Sequence, residues 1–189
     1  MAQHHTGHGD PTCLPLRSLG LTLPELLVTL SVASILTFTS LNLLPVLIHS
    51  NRMTGEVNRF VTALQLARSE AVKQGRRMVL CPQTGRRACG QAADWKNGWL
   101  LFPSEDRDWQ AGEPLILATP PLAEFINMRS GNQRKRIVYQ PDGSSGGTNS
   151  SFTFCDRQEL AKPRVICLSN SGRPRTTFTR CDGKPINCR

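Results

Sequence analysis

Between Glu25 and His49 the chain carries no charged residue, and most positions are Leu, Val, Ile, Phe, Ala, Thr or Ser. Roughly 20 such residues, rising about 1.5 Å each in a helix, cross a bilayer. The pattern then changes without a break. Val57, Phe60, Val61, Leu64, Ala67 and Ala71 recur at helical spacing, while Arg52, Glu56, Arg59, Arg68, Glu70 and Lys73 fall on other faces. Gly75 is the natural stop. The pattern predicts one helix from Thr22 to Gly75, roughly 80 Å long, with bends at Pro45 and Gly55. Residues 21–48 form its transmembrane or fibre-core half, and residues 49–75 an amphipathic half that packs on a domain.

After Gly75 the period shortens. Apolar runs at 78–80, 99–102, 115–117, 137–139, 152–154 and 165–168 are separated by turn residues at Thr84-Gly85, Asn97-Gly98, Asp142-Gly143 and Ser171-Gly172. Residues 76–189 therefore read as a β-rich globular domain, giving an α+β fold with antiparallel sheet against one long helix. Residues Asp142 to Ser151, rich in Gly, Ser, Thr and Asn, read as a mobile loop.

Composition adds a compartment and a charge. Six cysteines follow the helix (Cys81, Cys89, Cys155, Cys167, Cys181, Cys188), as expected of a disulfide framework in an exported domain. Proximity favours Cys81–Cys89, Cys155–Cys167 and Cys181–Cys188. No spacing is Cys-x-x-Cys, and His4, His5, His8 and His49 all precede the domain, so neither a metal site nor a cofactor is expected. A domain without histidine, phosphate-cradling loop or paired acids also lacks the parts of an enzyme. The net charge of +9 points to an acidic partner.

Glu25 is the residue that a simple anchor does not need, because a carboxylate at membrane depth costs about 2.5–3.5 kcal/mol and normally has a partner. With Gly20 before it, the stretch Gly20-Leu21-Thr22-Leu23-Pro24-Glu25 resembles the processing site of type IV prepilins, although Leu21 replaces the usual Phe and Pro24 a common Ile or Val. A secretory signal cut near Ser31-Val32-Ala33 would leave only a short apolar region interrupted by Pro24 and Glu25. An uncleaved signal anchor would explain neither Gly20 nor Glu25. The prepilin resemblance implies that a prepilin peptidase removes residues 1–20 as a leader and that the amine of Leu21 is methylated. It also implies that Glu25 pairs with the amino terminus of a neighbouring subunit. The protein would sit in the bacterial inner membrane, single-pass, with its domain in the periplasm, before entering a pilus with other pilin subunits.

The domain extends the resemblance. Cys81-Pro82 with Cys89, then Asp94-Trp95-Lys96-Asn97-Gly98-Trp99 leading into a strand, and the ending Ser171-Gly172-Arg173-Pro174-Arg175 are similar to minor pilins of the GspH/FimT family. The resemblance covers about residues 20–180 and implies a type IV pilin-like fold. Trp95 and Trp99, large aromatics beside a turn, are read as core.

The candidate chemistry is cationic. Arg164, Arg173, Arg175, Arg180, Lys184 and Arg189 face only Asp182 after Glu159. Arg173 and Arg175, two apart in an extended segment, share a side, and Pro174 pre-orients them. Gly172 is read as letting a phosphate approach the backbone, and the planar guanidinium suits bidentate phosphate contact. In the FimT branch Gly-Arg-x-Arg is associated with DNA binding in natural transformation, which the resemblance carries onto Gly172, Arg173 and Arg175. The same basic segment supplies Arg164, Arg180 and Lys184 as further DNA contacts. Arg129, Arg134, Lys135 and Arg136 form a second cluster, for which a solvated loop explains the charge equally well. With Phe178 the lone aromatic of the segment, contact should be to phosphates rather than stacked bases. The rival expectation is a structural minor pilin, or a GspH-like pseudopilin of a type II secretion system, without DNA binding.

Overall fold

A computed structural model describes residues 20, 22–85, 88–104 and 114–188, except for the side chains of 39–43. The residues before Gly20, expected as a leader, Leu21, expected as the processed residue, and Arg189 lie outside the described residues. Helix α1 (Leu23–Gln74) has Glu25 in its first turn and Lys73 in its last, each suited to the helix dipole at its end. Pro24 falls in the first turn, where its missing N–H is not needed, and Gly75 follows the helix at φ +62°. Among the described residues no helix is long and apolar enough to cross a membrane. The expected span of 21–48 includes Leu21 and the side chains of 39–43, which lie outside that set.

The chain divides into two units, residues 1–41 and 42–189. In the second, two antiparallel sheets share a core with α1. The first contains β1 (Met78–Thr84), β2 (Ala88–Cys89), β3 (Trp99–Pro103), β4 (Leu117–Ala118) and β6 (Ile137–Tyr139). Its order is β2-β1-β3-β4, and β6 pairs with Met78–Leu80 of β1. The second, ordered β5-β7-β8-β9, contains β5 (Ile126–Ser130), β7 (Ser150–Asp156), β8 (Arg164–Leu168) and β9 (Pro174–Thr177).

The helix contributes Met53, Val57, Phe60, Ala63, Leu64, Ala67 and Ala71, all buried. Phe60 is the hub, edge-on to Trp95 and Trp99 with centroids 5.5 and 4.9 Å away, and 4.8 Å from Phe152. The two tryptophans are core residues, as read, and Trp95 Nε1 donates to the Arg134 carbonyl at 3.0 Å.

Two expectations are corrected. The disulfides are Cys81–Cys89, Cys155–Cys188 and Cys167–Cys181, so proximity held only for the first. Register explains the failure: Cys167 lies opposite Ser151, four residues along β7 from Cys155. That is roughly 13 Å at about 3.4 Å per residue, beyond the reach of a disulfide. The second correction concerns His49, which the sequence reading put outside the globular part. It is buried in it, donating from Nδ1 to Asp156 Oδ2 at 2.7 Å and stacked on Phe125.

Candidate nucleic-acid interface

In β8 the residues alternate between two environments. Ile166 and Leu168 belong to the core, whereas Val165 and Cys167 point to the other face of the sheet. Arg175 pairs with Cys167, and Thr177 with Val165, so both belong to that outer face. Pro174 is tolerated because β9 is an edge strand.

The tail after β9 lies against this face. Cys181 bonds Cys167 on β8, Cys188 bonds Cys155 on β7, and Arg180, Asp182 and Ile186 border a groove with Thr153 and Val165. Val165 is thereby fully buried on a face that is otherwise polar. The clamp brings Arg180, with the adjacent Cys181, toward Arg175. Cys181 lines this groove and the neighbouring one of about 580 Å³ that holds Arg173, Arg175, Ser151 and Ser171.

Arg173 and Arg175 thus meet at one groove, both exposed. Among the described residues neither guanidinium has a hydrogen-bond or ion-pair partner. Arg180 pairs with Asp182 at 3.3 Å. Lys184 is exposed on a turn closed by Arg180 N–H donating to its carbonyl at 2.8 Å. Arg164 is not brought to the groove. Its guanidinium lies over the Phe178 ring at 4.6 Å and donates to Thr54 Oγ1 of α1 at 3.3 Å.

The turn that aims the arginines is held from below. Gly172, buried at φ +75°, donates to the Ser169 carbonyl at 2.9 Å and accepts from the Tyr139 hydroxyl at 3.2 Å. A Cβ there would overlap the Gly143 carbonyl oxygen and press on the Tyr139 ring. The glycine is therefore required by the left-handed turn and by the approach of Gly143, not by an approaching phosphate. Burial raises the Tyr139 hydroxyl pKa, offset in part by Arg68, so this donor stays protonated.

The loop read as mobile supports the same turn. Ser145 donates its N–H to the Asn170 carbonyl at 2.9 Å and its hydroxyl to the Ser169 carbonyl at 2.8 Å. Thr148 Oγ1 accepts from Val138 N–H at 3.1 Å, and Arg68 Nε donates to the Gly143 carbonyl at 3.1 Å. The small polar residues that suggest mobility are the ones that satisfy backbone groups here. Sequence spacing alone gave no signal for Arg68 or Tyr139 as supports.

The second cluster disperses. Arg134 donates to the Asn149 carbonyl at 3.2 Å, the backbone of Arg129 forms an isolated antiparallel bridge with that of Asp94, and partial burial lowers the Arg136 pKa. Only Lys135 of the four is both exposed and outside such a role.

The family described as type II transport protein GspH matches residues 56–172, more than half of the chain. The chain belongs to the GspH family. Two crystal forms of FimU, a type IV minor pilin of Pseudomonas aeruginosa strain PAO1, share the fold of this GspH-family chain. The first has a TM-score of 0.57 at 19% identity, over 75% of this chain and 98% of that one. The second has a TM-score of 0.53 at 18% identity, over 66% and 91%. No curated protein matches at the sequence level. The fold is type IV pilin-like, and the family is that of the type II transport protein GspH.

Proposed function

We propose that this GspH-family chain is a FimT-like minor type IV pilin that binds extracellular DNA through phosphate contacts and promotes uptake in natural transformation. The observation that supports it is the turn ahead of β9. Two unpartnered, exposed arginines, Arg173 and Arg175, share one groove above a turn locked by Tyr139, Gly143 and Ser145. Holding cations in place without internal counter-ions lowers the ordering cost of meeting a polyanion. Arg180 and Lys184 on the clamped tail extend the positive rim. Arg164 is a docking residue in this reading, and Gly172 a turn residue.

Gly20, Leu21 and Glu25 carry the expected processing by a prepilin peptidase, and the inner membrane holds the chain until assembly. Glu25 is exposed in the first turn of α1, open to a neighbouring subunit. The family description names a type II transport protein, which favours a structural pseudopilin as the second reading.

The test is an Arg173→Ala, Arg175→Ala double variant of the full chain in detergent, assayed by gel shift on unrelated DNA sequences. Binding should fall on all of them alike, because phosphates carry no sequence. In cells transformation should fall while pili still assemble. Wild-type binding by the double variant would leave the structural reading.

A further inference from the structure

The groove of Arg173 and Arg175 is not the only one that Arg173 borders. Arg173 and Pro174 also form one wall of a groove of about 660 Å³, whose other wall is the C-terminal part of α1, with Arg68, Val72 and Lys73. Three cations line it and no carboxylate does. Glu70, which reaches Lys73 at 3.6 Å, stays off the lining, with its side chain only 17% exposed. Lys73 is 76% exposed, and Arg68 spends only Nε on the Gly143 carbonyl, leaving its other nitrogens unpartnered among the described residues. Val72, 55% exposed, places an apolar surface between these charges.

We infer that this helix-side groove is a second nucleic-acid-binding surface, so that a strand held at Arg173 and Arg175 continues over Pro174 onto Arg68 and Lys73. The inference rests on the DNA-binding reading above and extends it to residues of α1. Charge complementarity and continuity carry it. Arg173 and Pro174 belong to both grooves, so the two adjoin and one backbone can pass from the first to the second. A cationic groove with an apolar centre matches a nucleotide chain, which offers anionic phosphates beside apolar sugar and base surface. An apolar side chain would gain little from a free inorganic anion.

The experiment uses the full chain in detergent with labelled DNA of mixed sequence, short and long, single-stranded and duplex, over a salt series. Lys73→Ala should weaken long-strand binding about three- to tenfold, less than a full charge-assisted contact because Lys73 is exposed and already within 3.6 Å of Glu70, and Lys73→Glu more. The log–log salt slope should shrink by about 0.7 on single strands or about 0.9 on duplex. Short strands, filled by the Arg173–Arg175 groove, should lose little. Lys96→Ala, whose lysine is paired with Asp94 at 2.9 Å, should leave both quantities unchanged. If both Lys73 variants bind long strands with wild-type affinity and slope while Arg173→Ala, Arg175→Ala loses binding, the helix-side surface is wrong and the DNA reading stands. If the double arginine variant binds like wild type, the DNA reading fails and takes this surface with it.

Discussion

Along β1, Met78 and Leu80 join the core shared with α1, while Val79 and Cys81 join a second apolar cluster with Leu100, Phe102 and Val138. Along β8, Ile166 and Leu168 join the same core, but Val165 and Cys167 are covered by a tail that is mostly polar. One sheet is held on both faces by apolar burial. The other is held on one face by burial and on its opposite face by two disulfides, Cys155–Cys188 and Cys167–Cys181. A covalent clamp does not require an apolar surface, so the clamped face can present Arg175, Arg180 and Lys184 to a ligand. The first sheet has no such freedom, because its outer residues already serve as core.

The comparison predicts different sensitivities. Phe60→Ala touches the core common to both sheets and should cost about 3–5 kcal/mol, seen as an earlier urea midpoint for the whole domain. Replacing Cys155 and Cys188 together should cost roughly 3–4 kcal/mol, from the loop of 33 residues that they close. It should also weaken DNA binding, whereas replacing Cys81 and Cys89 should reduce stability without touching binding. Gly172→Ala should cost about 1–3 kcal/mol from backbone strain, and more if the Gly143 carbonyl cannot move. Its effect on binding should follow from misaiming Arg173, so thermal melts and gel shifts should change together.

Acid should loosen the end of β7. Burial alone would raise the Asp156 pKa, but N–H donors from Gln158 and Ala161, with His49, outweigh it and hold the pKa below its ordinary value. A depressed carboxylate contributes stability at neutral pH that is lost as pH falls through its folded-state value. Urea midpoints measured against pH should therefore decline at acid pH. Asp156→Asn should flatten that decline from a lower starting stability.

Much of this architecture is legible in residue patterns. The helix was expected from 22 to 75 and runs Leu23–Gln74, because an uninterrupted apolar run followed by a one-sided stripe admits little else. Strands with several apolar residues were found. Strand β5 (Ile-Asn-Met-Arg-Ser) and β9 (Pro-Arg-Thr-Thr) were not, because two apolar residues in one and none in the other are too few to establish a period. Partner choice was less visible. The cysteine pairing depends on strand register, and His49–Asp156 joins positions 107 apart. Gly172 was identified correctly as special but for another reason, since only the folded chain shows the Gly143 carbonyl beneath it. Arg164 was grouped with the binding residues by charge alone, and packing claims it instead.

The salt dependence of DNA binding by Arg173→Ala, Arg175→Ala bears most directly on the clamped face as a phosphate-binding surface. Each charge-assisted contact is worth roughly 1.5–3 kcal/mol, so most of the affinity should disappear. The log–log slope against salt should fall by about 0.9 per lost phosphate contact on duplex and about 0.7 on single strands. An unchanged affinity with an unchanged slope would contradict it, and the turn ahead of β9 would then be a fold element alone.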